Sequence, residues 1–278
     1  MFENQTVMLG AAVLAAATVG LVAYRQKVKA SKTAFGRLKA GKPVGIESFV
    51  VEYRSKPKAM TLEGDSISRI EEQGKIVLDS AAQLKLKECL LRHRETVANL
   101  EAAEKLRCTA FNEMVHVPLL KELWRIAFGD DCEFERTSER WSRLGFQGLD
   151  PQTDLRGGGV LALEQFLFFA KSHPGVLREM IRFNDDQITS KTNSWFLTAV
   201  VSIQFTVQLK TCEHQTFAPH LRILYGNSEG LNMLHCELMR HFFECWRRDK
   251  PHVMEYTIYI PKVYGTFFKP DYVPIDQK

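Results

Sequence analysis

Residues Val160 to Ala170 read Val-Leu-Ala-Leu-Glu-Gln-Phe-Leu-Phe-Phe-Ala, apolar on almost every side. A helix without a polar face has to be enclosed by other elements, so this run predicts a buried central helix. Gly157, Gly158 and Gly159 precede it, and His173-Pro174-Gly175 ends it. Its surroundings carry helical spacing too. From about Leu62, apolar residues lead through Leu84, Leu91 and Val97 to Leu100, and a second stretch holds Leu119, Leu120, Leu123 and Trp124 before Gly129. Ser138 is placed to cap a short helix that carries Trp141 and Leu144 on one face and stops at Gly145. Residues 193–210 suit a strand by propensity and a helix by length. Leu231, Leu234, Leu238, Phe242 and Trp246 follow helical spacing, while Tyr256 to Ile260 alternates like a strand and leaves 253–268 open between the two. The expectation is one mainly α domain over residues 61–278.

The 278 residues are 45% hydrophobic and 25% charged, enough for one large core. The net charge of +4 is unevenly placed. Residues 25–60 hold ten Lys or Arg and two Glu, an excess of +8, and residues 1–24 contribute −1. Residues 61–278 therefore sum to −3, because 4 − 8 + 1 = −3. No basic stripe crosses the body, which argues against nucleic acid as a partner. The cysteines at 89, 108, 132, 212, 236 and 245 form no CxxC pair, the pattern of reduced cytosolic thiols. Cys212, His214, Cys236, His241 and Cys245 match no standard zinc-finger spacing, so no metal site is predicted. The eight histidines form no HExxH and there is no Gly-x-Ser-x-Gly elbow, so a hydrolytic site of its own and a cofactor are not expected. His235 and His241 read as structural.

Asn4 to Tyr24 carries no charge, and Val7 to Ala23 is almost wholly Val, Ala, Leu and Gly. About 20 apolar residues span a bilayer core as a helix. A cleaved signal peptide would begin with positive charge, whereas Glu3 lies before the segment and Arg25, Lys27, Lys29 and Lys32 follow it. The reading is a short non-cytoplasmic tail at 1–6, a transmembrane signal anchor at 7–24 and a basic juxtamembrane linker at 25–60, with the body facing the cytoplasm. Endoplasmic reticulum and mitochondrial outer membrane both suit such an anchor.

Residues 141–159, Trp-Ser-Arg-Leu-Gly-Phe-Gln-Gly-Leu-Asp-Pro-Gln-Thr-Asp-Leu-Arg-Gly-Gly-Gly, are the densest candidate for function. No Lys-Ser/Thr pair follows the glycines, which excludes a Walker A loop. Leu155 and Leu161 stand where an EF-hand starting at Asp150 needs Gly and Glu. What remains is a helix end, a turn at Asp150-Pro151 and a loop in which Thr153 and Asp154 can bond local backbone groups. Arg156 stands at its edge, beside glycines whose missing side chains would let a partner approach. Its planar fork suits phosphate oxygens. Arg156 is also placed to pair with Asp154 or Asp150 and merely fix the loop. Arg140 and Arg143 are further candidates, on what is more often a solvated face. Trp141 and Phe146 read as core, and Gln147 beside them as structural rather than water-positioning.

Trp141, Leu144-Gly145-Phe146-Gln147, Asp150-Pro151, Thr153-Asp154 and Arg156-Gly157-x-Gly159 resemble the signature of the ELMO domain. Asn193-Ser194-Trp195, Ala199 to Ile203 and the Leu231–Trp246 stretch echo it more weakly, so the resemblance spans roughly Leu84 to Lys269. It implies a helical domain, and it points to the branch whose members act as GTPase-activating proteins for Arf and Arf-like GTPases in the GTP form. The proposed catalytic arginine of that branch falls on Arg156, with Gln147, Asp150, Thr153, Asp154, Gly157 and Gly159 forming the GTPase-binding loop. The second possibility is a non-catalytic, membrane-tethered adaptor that binds a small GTPase or its regulator.

Overall fold

The computed structural model describes residues 98–211 and 227–269, with Leu91, Glu95, Thr96, His220, Ile223, Tyr272 and Val273. The expected anchor at 7–24, the linker at 25–60 and the helical stretch from Leu62 to Leu90 lie outside them. Among the described residues there is no strand, and no helix is long and apolar enough to cross a membrane.

Among the described residues the continuous α-helices are, in order, α1 (98–108), α2 (Glu113–Phe128), α3 (Gly159–Ser172), α4 (Pro174–Thr189), α5 (Thr198–Thr211), α6 (Gly230–Asp249) and α7 (Tyr256–Phe267). α2 starts where the Asn112 side chain accepts the Met114 N–H at 2.9 Å, and stops at Gly129, which takes φ +96°. α3 is the central element, touching α2, α4, α5 and α6. Nine of its fourteen residues are buried, which is what an all-round apolar run requires. His173 ends α3, and Pro174 opens α4 at the first helical position, where its missing N–H costs nothing.

α5 settles the ambiguity of residues 193–210 in favour of helix. It lies against both α3 and α6, so its polar residues are buried with its apolar ones. They bond inside the fold: the Thr206 hydroxyl lies 2.7 Å from Gln165 Oε1, and His235 Nε2 lies 3.1 Å from both the oxygen and the hydroxyl of Ser202. On α6, Leu231, Leu234, Leu238, Phe242 and Trp246 are all buried, as their spacing predicts.

The 253–268 segment resolves as helix. A 3-10 turn at Val253–Glu255 has a reciprocal cap in which His252 and Glu255 each accept the other's backbone N–H, and α7 follows directly. Its buried residues are Tyr256, Tyr259, Ile260, Val263, Tyr264 and Phe267, a helical stripe. Ile258, the middle of the apparent alternation, is 75% exposed. The strand-like pattern was an accident of one outward isoleucine. Tyr256 stacks on Trp246 with ring centroids 4.2 Å apart, which locks α7 to α6.

Candidate functional site

The 138–159 segment crosses from the end of α2 to the start of α3. Ser138 Oγ accepts the Arg140 N–H at 3.3 Å and opens a six-residue 3-10 helix, Glu139–Leu144. Gly145 ends it with φ +77°, and a Cβ there would stand 2.4 Å from the Thr198 backbone nitrogen. Ser138 and Gly145 thus act as the sequence suggested. Trp141 and Phe146 are both buried. Trp141 packs edge-on to Trp124 (4.9 Å) and Phe146 (5.6 Å), and Phe146 reaches Phe166 of α3 (6.0 Å). An aromatic chain therefore fastens the motif to α2 and α3.

Beyond this anchor the loop is held by carboxylates. Asp154 accepts the Gln147 N–H at 2.7 Å, closing residues 147–154 into a ring. Burial raises the Asp154 pKa, opposed by the N–H groups of Gln147 and Gly148 and by the positive charge of Arg156. Asp150 caps the turn Pro151–Thr153 by accepting the Gln152 N–H at 2.8 Å, and the Thr153 hydroxyl donates to the Asp150 carbonyl at 2.8 Å. Arg136 forms an ion pair with Asp150 and donates to Gln152 Oε1 at 3.0 Å, while its guanidinium lies 5.2 Å from the centre of the Phe111 ring. Arg136 escaped the reading of the motif because its partners are 14 and 16 residues away, a spacing that no local pattern marks.

Leu155 is 3% exposed and inserts into the core, and the next side chain, Arg156, faces solvent. The Arg156 guanidinium makes no hydrogen bond or ion pair with the described residues, and the Asp154 carboxylate senses its charge. Asp150 is taken by Arg136. The other two arginines fare differently. Arg143 is bound to Asp185 at 2.6 and 3.0 Å and lies over Phe128, and Arg140 is exposed beside the Cys132 sulfur.

The glycines serve the fold more than an incoming partner. Gly158 is buried, and a Cβ on it would stand 2.5 Å from the Ala162 methyl. Gly159 has φ +57°, and a Cβ there would fall 2.1 Å from the Arg107 carbonyl oxygen. At Gly157 a Cβ would meet only a Val207 methyl at 3.8 Å. Of the three, only Gly157 leaves its backbone open as expected. The close approach at Gly159 lets α1 end directly over the start of α3, where the Val160 N–H donates to the Thr109 carbonyl at 3.2 Å.

Elsewhere the chemistry is structural. His235 is fully buried and its pKa is pushed down to about 4 by burial. His241 lies 3.2 Å from the Thr266 hydroxyl. Among the described residues no group of three His, Cys, Asp or Glu is arranged to hold a metal; Cys212 and His214 lie outside them.

A family model for the ELMO/CED-12 family matches residues 100–260, more than half of the chain. The chain belongs to the ELMO/CED-12 family. Curated relatives agree. ELMO domain-containing protein 2 of Homo sapiens is 26% identical over 195 residues, covering 66% of this chain and 64% of its own length. ELMO domain-containing protein B of Dictyostelium discoideum is 29% identical over 150 residues, 52% of this chain and 50% of its own. ELMO domain-containing protein 1 of Homo sapiens is 32% identical over 145 residues, 48% and 42%. The chain thus spans less than two thirds of these relatives. No solved structure matches it. The 141–159 loop lies wholly within the ELMO match, and so does every element from α2 to α6. The Arg156 guanidinium stands exposed on the loop of this ELMO domain. It donates five N–H groups and carries fixed charge but neither accepts nor releases a proton. It suits the stabilisation of negative charge that develops on a partner.

Proposed function

We propose that this protein is a GTPase-activating protein for small GTPases of the Arf and Arf-like group, and that Arg156 enters the partner's nucleotide site as an arginine finger. The observation that carries the reading is an exposed guanidinium without a carboxylate partner, on a loop fixed by Asp154, Asp150 and the buried Leu155. GTP hydrolysis spreads negative charge over the transferred phosphoryl oxygens, and an arginine supplied in trans accelerates it by about 10³–10⁵, or roughly 4–7 kcal/mol of barrier. A rigid loop matters because the side chain must already stand near its working position when the partner arrives. Gln147, Thr153 and Gly157 belong to the same loop as Arg156 and would contact the GTPase surface. The charge-free segment 7–24 would anchor the domain on the membrane where the GTPase is recruited.

The test is single-turnover GTP hydrolysis by GTP-loaded Arf-family GTPases with the full chain in mild detergent. Stimulation that disappears with a folded Arg156→Ala variant supports the finger. Binding of the GTP form with no change in hydrolysis rate, wild type or variant, replaces it with the adaptor reading.

A further inference from the structure

Residues 193–197 run as a strap across the junction of α6 and α7. The Val253 N–H donates to the Asn193 carbonyl at 2.6 Å, the Trp246 indole N–H to the Ser194 carbonyl at 3.0 Å, and the Leu197 N–H to the Tyr256 hydroxyl. The strap and the start of α7 therefore reach the surface together, and both expose large apolar side chains. Trp195 is 41% exposed, Met254 55% and Ile258 75%. The Trp195 indole N–H is spent on the Thr192 carbonyl at 3.0 Å, which leaves an apolar ring to meet a partner. α7 buries its other side, so Ile258 and Lys262 share the outer one, with Met254 a turn before them. One exposed apolar residue means little, but three on adjoining segments make a patch.

The charge around the patch selects its occupant. Residues 186–195 and 247–262 carry Lys191, Arg247, Arg248, Lys250 and Lys262 against Asp186, Asp249 and Glu255, five basic groups to three acidic, in a body that sums to −3. Lys191 and Lys250 make no ion pair with the described residues, whereas Asp249 is held by Arg248 and Tyr259, and Glu255 by the His252 N–H. The core of a protein–protein interface is depleted in lysine. A bilayer surface suits the set: tryptophan lies at headgroup level, aliphatic side chains enter the acyl boundary and lysines reach anionic headgroups. We propose that Trp195, Met254 and Ile258 dock the domain on the surface of an anionic bilayer. The proposal rests on the anchor reading of residues 7–24, which would hold the patch within reach of lipid.

Trp195 is its own reporter. Residues 1–123 contain no tryptophan, and Trp124, Trp141 and Trp246 are buried. The full chain is reconstituted into vesicles of phosphatidylserine and phosphatidylcholine, the latter brominated near the headgroup end of its acyl chains. Bromine quenches tryptophan on contact, so the emission that Trp195→Phe removes should be quenched in wild type. Ile258→Asp and Met254→Asp change exposed positions and should leave the fold intact. Each should lower the ratio of seated to free domain by about tenfold, as an apolar side chain leaves the lipid. Omitting phosphatidylserine should lower the same ratio by about fivefold for each lysine at the surface. Trp195 emission that bromine leaves untouched overturns the proposal, as does quenching that neither aspartate variant reduces. In the first case, a particle mass in detergent that halves with Ile258→Asp gives the patch to a second copy, and lost binding of a GTP-loaded GTPase gives it to that partner. Extraction at alkaline pH tests the anchor separately. A chain that stays in the membrane with Trp195 unquenched keeps the anchor and loses the docking face, while one that is quenched yet extracted keeps the docking face and loses the anchor.

Discussion

Arg136 holds the Asp150 carboxylate across 14 residues of sequence, and Arg156, in the 3-10 turn that follows, faces solvent. The loop contains more carboxylate than its own arginine needs. Asp154 is directed to the Gln147 backbone and Asp150 to Arg136, so rigidity and a free guanidinium coexist in the ten residues from Gln147 to Arg156. A loop closed by Arg156 itself would have the first property without the second.

Arg156→Lys keeps the charge and loses the planar fork. Under the finger reading it should leave stimulation of GTP hydrolysis at least about tenfold below wild type, because one ammonium cannot span two phosphoryl oxygens. The side chain is exposed, so the unfolding free energy should stay within about 0.5 kcal/mol. Wild-type stimulation by the lysine variant would show that charge alone suffices.

Leu155→Ala separates the anchor from the finger. The leucine is 3% exposed, and deleting a buried leucine costs about 2–5 kcal/mol. Urea titration followed by circular dichroism should show that loss, although the next residue tolerates alanine. A change below about 1 kcal/mol would mean that the loop is held by its hydrogen bonds alone.

Gly159→Ala and Gly157→Ala differ by two positions and should differ sharply in effect. At Gly159 the added methyl meets the Arg107 carbonyl at 2.1 Å, and φ is +57°. Left-handed strain and displaced backbone together should cost at least about 2 kcal/mol. At Gly157 the methyl meets only Val207, and the cost should stay under about 0.5 kcal/mol. Equal melting temperatures would contradict the packing of α1 on α3.

His235 should make the domain acid-sensitive. Its folded pKa of about 4 lies below the usual value of 6.5 because burial disfavours the charged ring. A depressed pKa means that the unfolded chain binds the proton first, so stability is full above about pH 6.5 and is lost as the pH falls toward 4. Nδ1 has no partner among the described residues, so protonation adds an unmet donor. The loss is on the order of 3 kcal/mol across that window. Unfolding measured between pH 7 and 4 should show a steeper decline in wild type than in His235→Gln. Parallel curves would assign the acid sensitivity to other groups.

Much of the fold was readable from local chemistry. The apolar run 160–170 dictated a central helix, the 231–246 spacing dictated α6, and Ser138 and Gly145 marked the ends of their short helix, because caps and periodicity act within a few residues. Two ambiguities needed neighbours. Residues 198–211 are helical because α3 and α6 enclose them and satisfy their hydroxyls, and 256–267 because Trp246 and α6 select one face. The glycines were legible as exceptional but not in purpose, since the Arg107 carbonyl that excludes a Cβ at Gly159 lies some fifty residues away in sequence.

By itself the sequence determined the helical class, the family signature and the candidate arginine of the motif, since each is written in contiguous residues. Only the tertiary structure decided what that arginine touches. Whether Asp150 pairs with Arg156 or Arg136 depends on how the chain before the motif packs beside it, and an ion pair follows distance in space rather than order along the chain.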